Sequence, residues 1–205
     1  MSSLLLRGFA LGFAIAASPG PIFFLCLRRT LLRGRLYGIV SGLGVATADG
    51  FYATVAAFGI AFVTAAVISG RRPLAVTGGA VLVGLGLRIL FERHDKPAEA
   101  PVTTGRGLAW AYASTLGLTI TNPATIISFA ALAATLGLGV AGGPARPAAL
   151  AAGVLLGSAA WWCLLAVAAS LLRARMTPAI VRGISAVSGL AIVLLGMLAI
   201  YSAFS

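Results

Sequence analysis

The chain has 205 residues, of which 60% are hydrophobic and 9% are charged, and its mean hydropathy is +1.05. Soluble domains carry about 25% charged residues, so this composition predicts an integral membrane protein and leaves no room for a separate soluble domain of useful size. The net charge of +11 would suggest nucleic acid as a partner in a soluble chain. In a membrane protein the basic residues lie at the bilayer surface and indicate orientation instead, so no nucleic-acid partner is expected.

Apolar runs of bilayer length predict six transmembrane segments. Only helices and closed barrels satisfy their backbone hydrogen bonds in lipid, and these runs are continuous rather than alternating, so an all-α fold is expected. The predicted segments are 4–27, 37–68, 74–91, 108–138, 148–172 and 184–204. A polar loop at 92–107 separates the first three-span segment, 1–91, from the second, 108–205. Together they are expected to form one transmembrane domain.

The basic residues are distributed unevenly between the two predicted faces of the membrane. The first, third and fifth connections hold 11 of the 15 Lys and Arg residues, and the opposite side holds four. By the positive-inside rule, the richer side is cytoplasmic. We therefore expect both chain termini to lie outside.

The two halves of the chain share a short motif. The sequence from Ser18-Pro19 to Phe24 resembles that from Asn122-Pro123 to Ser128 at an offset of 104 residues, and a glycine-rich span follows each. Halves with an odd number of spans must point in opposite directions, so two inverted three-helix repeats are predicted, as in many secondary carriers. The alternative is that Pro and Gly are simply common in membrane helices.

Proline inside a span removes a backbone donor and clashes with the preceding turn, so the first and fourth helices are predicted to be broken. We expect Ser18 and Asn122 to cap the half-helices that start there, with Pro19 and Pro123 as first helical residues. Such helix starts present unpaired N–H groups and suit an anion such as a carboxylate. The candidate substrate-binding residues at the breaks are Ser18, Pro19, Gly20, Pro21, Asn122 and Pro123. The alternative is a proline kink relieved by neighbouring helices.

Asp49 is the only acidic residue inside the six predicted spans. A charged carboxylate in the middle of a membrane costs at least about 2.5–3.5 kcal/mol, so it is a functional candidate by default. It is predicted to pair with a substrate ammonium group and to carry a coupling proton. Two positive helix ends and one acid suit a zwitterion. The alternative is a purely structural hydrogen bond between helices.

The sequence offers little support for metal or covalent chemistry. Cys26 and Cys163 lie in separate apolar runs, and the single histidine, His94, falls in the predicted loop, so neither a metal site nor a cofactor is expected. Paired carboxylates, an HExxH motif and a Ser/His pair are absent from the spans. We therefore expect a protein that is not an enzyme.

A combination of motifs resembles the LysE/RhtB family of amino-acid exporters over essentially the whole chain. It comprises Ser18-Pro19-Gly20-Pro21, the predicted loop Arg28-Arg29-Thr30-Leu31-x-x-Gly34, Gly42-Leu43-Gly44 through Thr47-Ala48-Asp49, and Asn122-Pro123. The resemblance implies gradient-driven export across the prokaryotic cytoplasmic membrane, with the Pro-Gly-Pro, Asp49 and Asn-Pro positions in the transport core. Many members carry a lysine after Asn-Pro, where this chain has Ala124.

These observations together predict a secondary exporter of an amino acid or related small zwitterion, working by alternating access between the two repeats. Its expected partners are the small-molecule substrate and the lipid bilayer, and association into a homo-oligomer stays open. One alternative is export of a metal cation or other small ion, for which a single acid makes a poor divalent site. A membrane-embedded enzyme is the other.

Overall fold

The computed structural model describes residues 2–58, 71–91, 104–135, 143–172 and 177–204. All the regular structure within these ranges is helical, which confirms the all-α class. The helices are α1 Ser2–Ala16, α2 Pro21–Arg33, α3 Arg35–Phe58, α4 Arg71–Phe91, α5 Gly105–Ile120, α6 Pro123–Thr135, α7 Ala145–Leu172 and α8 Pro178–Ser202. Most of the predicted loop (92–103) and parts of two predicted spans (59–68 and 136–138) lie outside the described residues.

Several of these helices match the dimensions of a bilayer. Among the described residues, α3, α7 and the Arg182–Ser202 part of α8 are each long and apolar enough to cross a membrane. α1 and α2 meet at a bend of 81°, and α5 meets the Ala124–Leu132 part of α6 at 62°. Counting each bent pair as one span gives up to five, and α4 contributes a shorter apolar helix, Ala75–Phe91. The chain is therefore a multi-span membrane protein that bends sharply at both predicted breaks.

Glycines bring α1 and α7 into close contact. Gly8 and Gly12 of α1 lie against the α7 backbone, and Gly153 and Gly157 of α7 lie against the α1 backbone near Phe9. A Cβ atom at any of these glycines would clash with main-chain atoms of the other helix, so the GxxxG spacing serves packing within the chain. Because later residues of α1 meet later residues of α7, the two helices run parallel.

Hydrogen bonds join α3 to α5 along their lengths. The Thr115 hydroxyl donates to the Ser41 carbonyl at 2.7 Å, and the Tyr52 hydroxyl donates to the Ile120 carbonyl at 2.6 Å. The contacts advance in the same direction along both helices. α3 and α5 therefore also run parallel.

α3 packs on its other side against α7, with the opposite polarity. Gly42 lies against the side chain of Trp162, and Gly50, further along α3, lies against Leu155, which comes earlier in α7. The two helices are therefore antiparallel. This places α3 between α5 and α7, where its side chains are largely buried.

α4 and α8 form a second antiparallel pair. Gly79 of α4 packs against Gly196 of α8, and Gly86 packs against Gly189. α2 contacts α8 and α6 contacts α4, so the two bent helix pairs link this pair to the rest of the bundle.

The predicted loop from Arg28 to Gly34 is wrong. α2 continues through both arginines to Arg33 and ends at Gly34, whose φ of 95° favours glycine. The Gly34 N–H donates to the Thr30 carbonyl at 2.9 Å and closes the last turn. The motif that resembles the family is therefore a helix with its cap.

Arg29 explains why the helix persists through a pair of basic residues. Its guanidinium donates to the Ser41 hydroxyl (3.2 Å), the Ala111 carbonyl (3.0 Å) and the Ser114 hydroxyl (2.9 Å). These acceptors belong to α3 and α5. The charge is therefore held by hydrogen bonds at the junction of three helices, where a sequence-based analysis expects a solvated loop.

Candidate functional site

The first helix break has a different boundary from the predicted one. α1 ends at Ala16 and α2 begins at Pro21, so Ser18 does not cap α2 and Pro19 is not its first residue. The capping position belongs to Gly20, with extended backbone at φ −152° and ψ −178°. A residue before proline is sterically kept out of the helical region, so Pro21 forces Gly20 to stay extended and delays the helix start.

The start of α2 lacks a side-chain cap because Gly20 has no side chain. Pro21 carries no N–H, and the first intrahelical bond runs from the Phe24 N–H to the Gly20 carbonyl at 3.3 Å. The N–H groups of Ile22 and Phe23 have no hydrogen-bond acceptor among the described residues. This helix end therefore offers two backbone donors.

The second break is capped as predicted. The Asn122 side-chain oxygen accepts from the Ala124 N–H at 3.2 Å, and Pro123 is the first residue of α6. The Ile126 N–H already donates to the Asn122 carbonyl at 3.1 Å. Within the described part of the chain, only the Thr125 N–H stays without an acceptor in this first turn.

Both breaks border one cavity of about 90 Å³. Five of the predicted site residues line it: Ser18, Pro19, Gly20, Asp49 and Asn122. Pro21 is buried at the start of α2, and the side chain of Pro123 is outside the description. The structure thus brings the two sequence motifs and Asp49 to the same place.

Further wall residues come from the turns next to the breaks. Phe23, Thr125 and Ser128 line the cavity and were not singled out by the sequence. Thr125 and Ser128 could have been predicted from their spacing, because they are three residues apart on α6 and therefore share a helix face. Trp162 of α7 also lines the cavity, and its side chain packs on Gly42.

Asp49 is the only ionisable side chain among the described residues that line the cavity. It is 3% exposed, and its Oδ2 accepts a hydrogen bond of 2.6 Å from the hydroxyl of Ser158 on α7. No Lys, Arg or His in the described residues provides a neutralising charge beside it. As far as the structure describes the chain, the buried carboxylate therefore has one neutral partner, Ser158, and no cation beside it.

Two other residues that line the cavity, Thr119 and Trp162, carry polar groups that are either hydrogen-bonded within the chain or buried. The Thr119 hydroxyl, which lines the cavity, donates back to the Thr115 carbonyl at 2.7 Å. The indole N–H of Trp162 is buried and has no hydrogen-bond acceptor in the described ranges. The described residues also contain no group of three or more His, Cys, Asp or Glu that could hold a metal ion.

The fold and the cavity define a multi-span helical membrane protein with a polar internal site at two helix breaks. The LysE type translocator family matches residues 13–203, so the chain belongs to that family. Membership implies an exporter in the cell membrane, because members of this family are transporters. The resemblance noted in the sequence is thereby confirmed.

A curated relative also aligns over most of the chain. It is the chemotactic transduction protein ChpE of Pseudomonas aeruginosa, 28% identical over 163 residues, which are 78% of this chain and 79% of the relative. No solved structure gives a significant match.

Proposed function

We propose that the protein is a secondary exporter of an amino acid or related small zwitterion across the cytoplasmic membrane. The observation that carries this proposal is a single cavity that combines a buried carboxylate, Asp49, with free backbone donors at helix starts. A buried carboxylate without a cation is expensive in lipid, and an ammonium group of a substrate offsets that expense. The opposite end of a zwitterion then faces the helix starts.

The unequal helix ends indicate where the substrate carboxylate binds. α2 offers the N–H groups of Ile22 and Phe23, whereas α6 offers only that of Thr125 after its own cap is made. Hydrogen bonds to an ionised acceptor are roughly twice as strong as neutral ones. We therefore place the carboxylate at α2 and the ammonium at Asp49, with α6 supplying polar wall residues.

The helix directions support six membrane crossings. α3 and α5 run parallel, so the chain has to return across the bilayer between them. α4 lies between them in sequence and runs antiparallel to α8, which fits this role although its apolar stretch is short. The crossings are then the α1–α2 pair, α3, α4, the α5–α6 pair, α7 and α8.

The packing also supports an inverted repeat of 1–91 and 108–205. α1 runs parallel to α7 just as α5 runs parallel to α3, while the equivalent helices α3 and α7, and α4 and α8, are antiparallel. Exchanging the halves converts the α1–α7 contact into the α5–α3 contact and maps the α3–α7 and α4–α8 contacts onto themselves. A two-fold axis in the membrane plane has this effect, and in carriers it permits the halves to rock about a central site.

The positions of the basic residues support the predicted orientation. Arg29 at the end of α2 contacts Ala111 of α5, and Arg28 donates to Ser185 near the start of α8 at 3.5 Å. The end of α2 therefore meets the early parts of α3, α5 and α8. Basic residues at these helix ends are Arg33, Arg35, Arg106 and Arg182. This is the face we propose as cytoplasmic, with both termini outside.

Asp49 also gives the carrier a means of coupling to protons. The carboxylate binds either a proton or the substrate ammonium, so inward proton movement and outward substrate movement alternate at one group. We expect Asp49→Asn to abolish efflux driven by a pH gradient, because an amide neither binds a proton nor pairs with ammonium. The measurement is efflux of radiolabelled amino acids from proteoliposomes, preceded by a substrate screen comparing expressing and non-expressing cells.

Asp95→Asn, in the predicted loop, is the matched control for loss of one carboxylate and is expected to keep wild-type efflux. Unchanged pH-driven efflux in Asp49→Asn would show that the proton role is wrong. Export of cadmium rather than of any amino acid would favour the metal-cation alternative. A product formed from a lipid or a peptide by the purified protein would revive the enzyme alternative.

The name of the Pseudomonas relative favours a second candidate, a membrane component of chemotactic signalling that binds a ligand without moving it. The same cavity would then be a sensor site. Saturable binding of an amino acid by the purified protein, with no efflux from proteoliposomes in either direction of the gradient, distinguishes this candidate from the exporter.

A further inference from the structure

Ser158 uses its hydroxyl in an unusual way for this molecule. Hydroxyls in membrane helices commonly donate to a carbonyl of the preceding turn, and several in the described residues do so: those of Thr30, Thr47, Thr54, Thr119 and Ser128. The Ser158 hydroxyl instead crosses from α7 to α3 and donates to the Asp49 carboxylate at 2.6 Å. The Ser158 hydroxyl therefore bonds to the Asp49 carboxylate instead of to a carbonyl of its own helix.

The two residues differ in their access to the cavity. Asp49 lines it, whereas Ser158 is fully buried and is not part of the wall. Ser158 therefore acts on a ligand only through Asp49. Its bond holds Oδ2, and no described residue donates a hydrogen bond to the other carboxylate oxygen, Oδ1.

We infer that Ser158 is a positioning residue for transport: its hydroxyl fixes the rotation of the Asp49 carboxylate, holding Oδ2 in the α3–α7 contact and leaving Oδ1 for the substrate. This inference rests on the proposed function, because it assigns the two oxygens of the group proposed to bind the ammonium. Since α3 and α7 are the equivalent helices of the two proposed repeats, the bond also joins the halves directly across their contact.

The chemistry of the bond determines which oxygen binds the proton. Ser158 has one hydroxyl proton and donates it, so Oδ2 is an acceptor in the ionised carboxylate. If a proton binds to Oδ1, Oδ2 becomes the carbonyl oxygen of the acid and still accepts from Ser158. The bond therefore survives both states, and the proton and the substrate ammonium compete for Oδ1 alone.

Ser158→Ala tests the inference, because it removes the positioning bond and leaves Asp49 in place. We expect the apparent KM for efflux to rise about tenfold, the lower range for a hydrogen bond to a charged group, with a smaller change in the maximal rate. Ser158→Thr restores a hydroxyl and is expected to recover part of the loss. Ser188→Ala, at an equally buried serine of α8 away from the cavity, is the matched control and is expected to keep the wild-type KM.

Infrared difference spectroscopy gives a second readout that does not depend on transport. In the wild type the carbonyl stretch of protonated Asp49 should show a hydrogen-bonded frequency, identified by its loss in Asp49→Asn, and it should move upward in Ser158→Cys, which keeps the side-chain size but donates weakly. If Ser158→Ala does not fold, Ser158→Cys serves for the KM measurement as well. An unchanged KM together with an unshifted carbonyl frequency would overturn the positioning role while leaving wild-type amino-acid efflux intact. Absence of efflux in the wild type itself would instead contradict the proposed function.

Discussion

The two helix breaks that border the cavity satisfy their backbones differently. Between α1 and α2 the chain turns by 81° through residues 17–20, and α2 starts after Gly20 without a side-chain cap. Between α5 and α6 the bend is 62°, and the Asn122 side chain caps the following turn. The two motifs occupy matching places in the sequence, but one leaves its helix start unsatisfied and the other largely satisfies its own.

This difference indicates that the two helix starts have different roles in the cavity. A capped helix start is stable whether or not a ligand is present, so α6 is suited to shaping the wall. An uncapped start in a membrane needs water or a ligand, since unsatisfied backbone groups in an apolar medium cost several kcal/mol. The α2 end is therefore the one whose stability depends on what fills the cavity.

Among changes at the two helix breaks, the largest effect is expected from placing a positive charge beside the α6 start. Ala124 lines the cavity at the second residue of α6, and Ala124→Lys would provide Asp49 with a permanent cation. Although lysine is common at this position in the family, this chain is proposed to bind the substrate ammonium at an Asp49 that has no cation beside it in the described residues. We therefore expect efflux of the proposed zwitterion to fall by at least about a hundredfold, as for the loss of a charged contact of several kcal/mol. Ala124→Met, of similar length without charge, separates the electrostatic effect from filling of the cavity. Equal losses in the two variants would show that volume alone matters.

A smaller effect is expected from making the first break resemble the second. Apart from its two chain neighbours, no described residue has an atom within 4 Å of the position that a Cβ of Gly20 would occupy, and the extended backbone suits any residue. Gly20→Asn therefore introduces a cap for α2. The amide oxygen should bind an N–H that is otherwise available to the substrate, which should raise the apparent KM about tenfold. The protein should be stabilised by only about a few tenths of a kcal/mol, because glycine is itself a tolerable capping residue. Efflux kinetics and thermal unfolding in detergent measure the two effects. Gly20→Ala adds the Cβ atom without an acceptor and should leave the KM near the wild-type value.

The smallest effect on transport is expected from removing the existing cap. Asn122→Ala should lower the stability of the protein by about 1 kcal/mol, because the Ala124 N–H loses its acceptor, and should change the KM only a few-fold. Asn122→Asp retains a capping oxygen and is the matched variant for thermal unfolding. A KM increase in Asn122→Ala as large as that in Gly20→Asn would remove the distinction between the two breaks.

The sequence was sufficient to predict the features that depend on local chemistry. Proline at a matching place in each half predicts both bends, and Asn-Pro predicts the α6 cap. The isolation of Asp49 among apolar residues marks it as a candidate, and the structure places it in the wall of the cavity. The error at the first break is also local in origin. Ser18 is a good capping residue in isolation, but the second proline, Pro21, controls where the helix starts.

The features that the sequence missed depend on contacts between distant residues. Ser158 is 109 residues from Asp49, and nothing in its neighbourhood distinguishes it from the other serines. Arg29 is expected in a loop by composition, and the hydrogen bonds that hold it in the bundle reach Ala111 and Ser114, 82 and 85 residues away. Such pairs can be identified only from the packed structure, because the residues are far apart in the sequence.

The Arg29 contacts have a mechanical consequence for α2. Three hydrogen bonds to α3 and α5 fasten this helix at its last turn, whereas its first turn rests against a cavity. A solute that binds the Ile22 and Phe23 amides therefore acts on the end of α2 that is opposite to the end held by Arg29. We expect the movement that accompanies transport to be greatest at the Pro-Gly-Pro corner and least at the arginine.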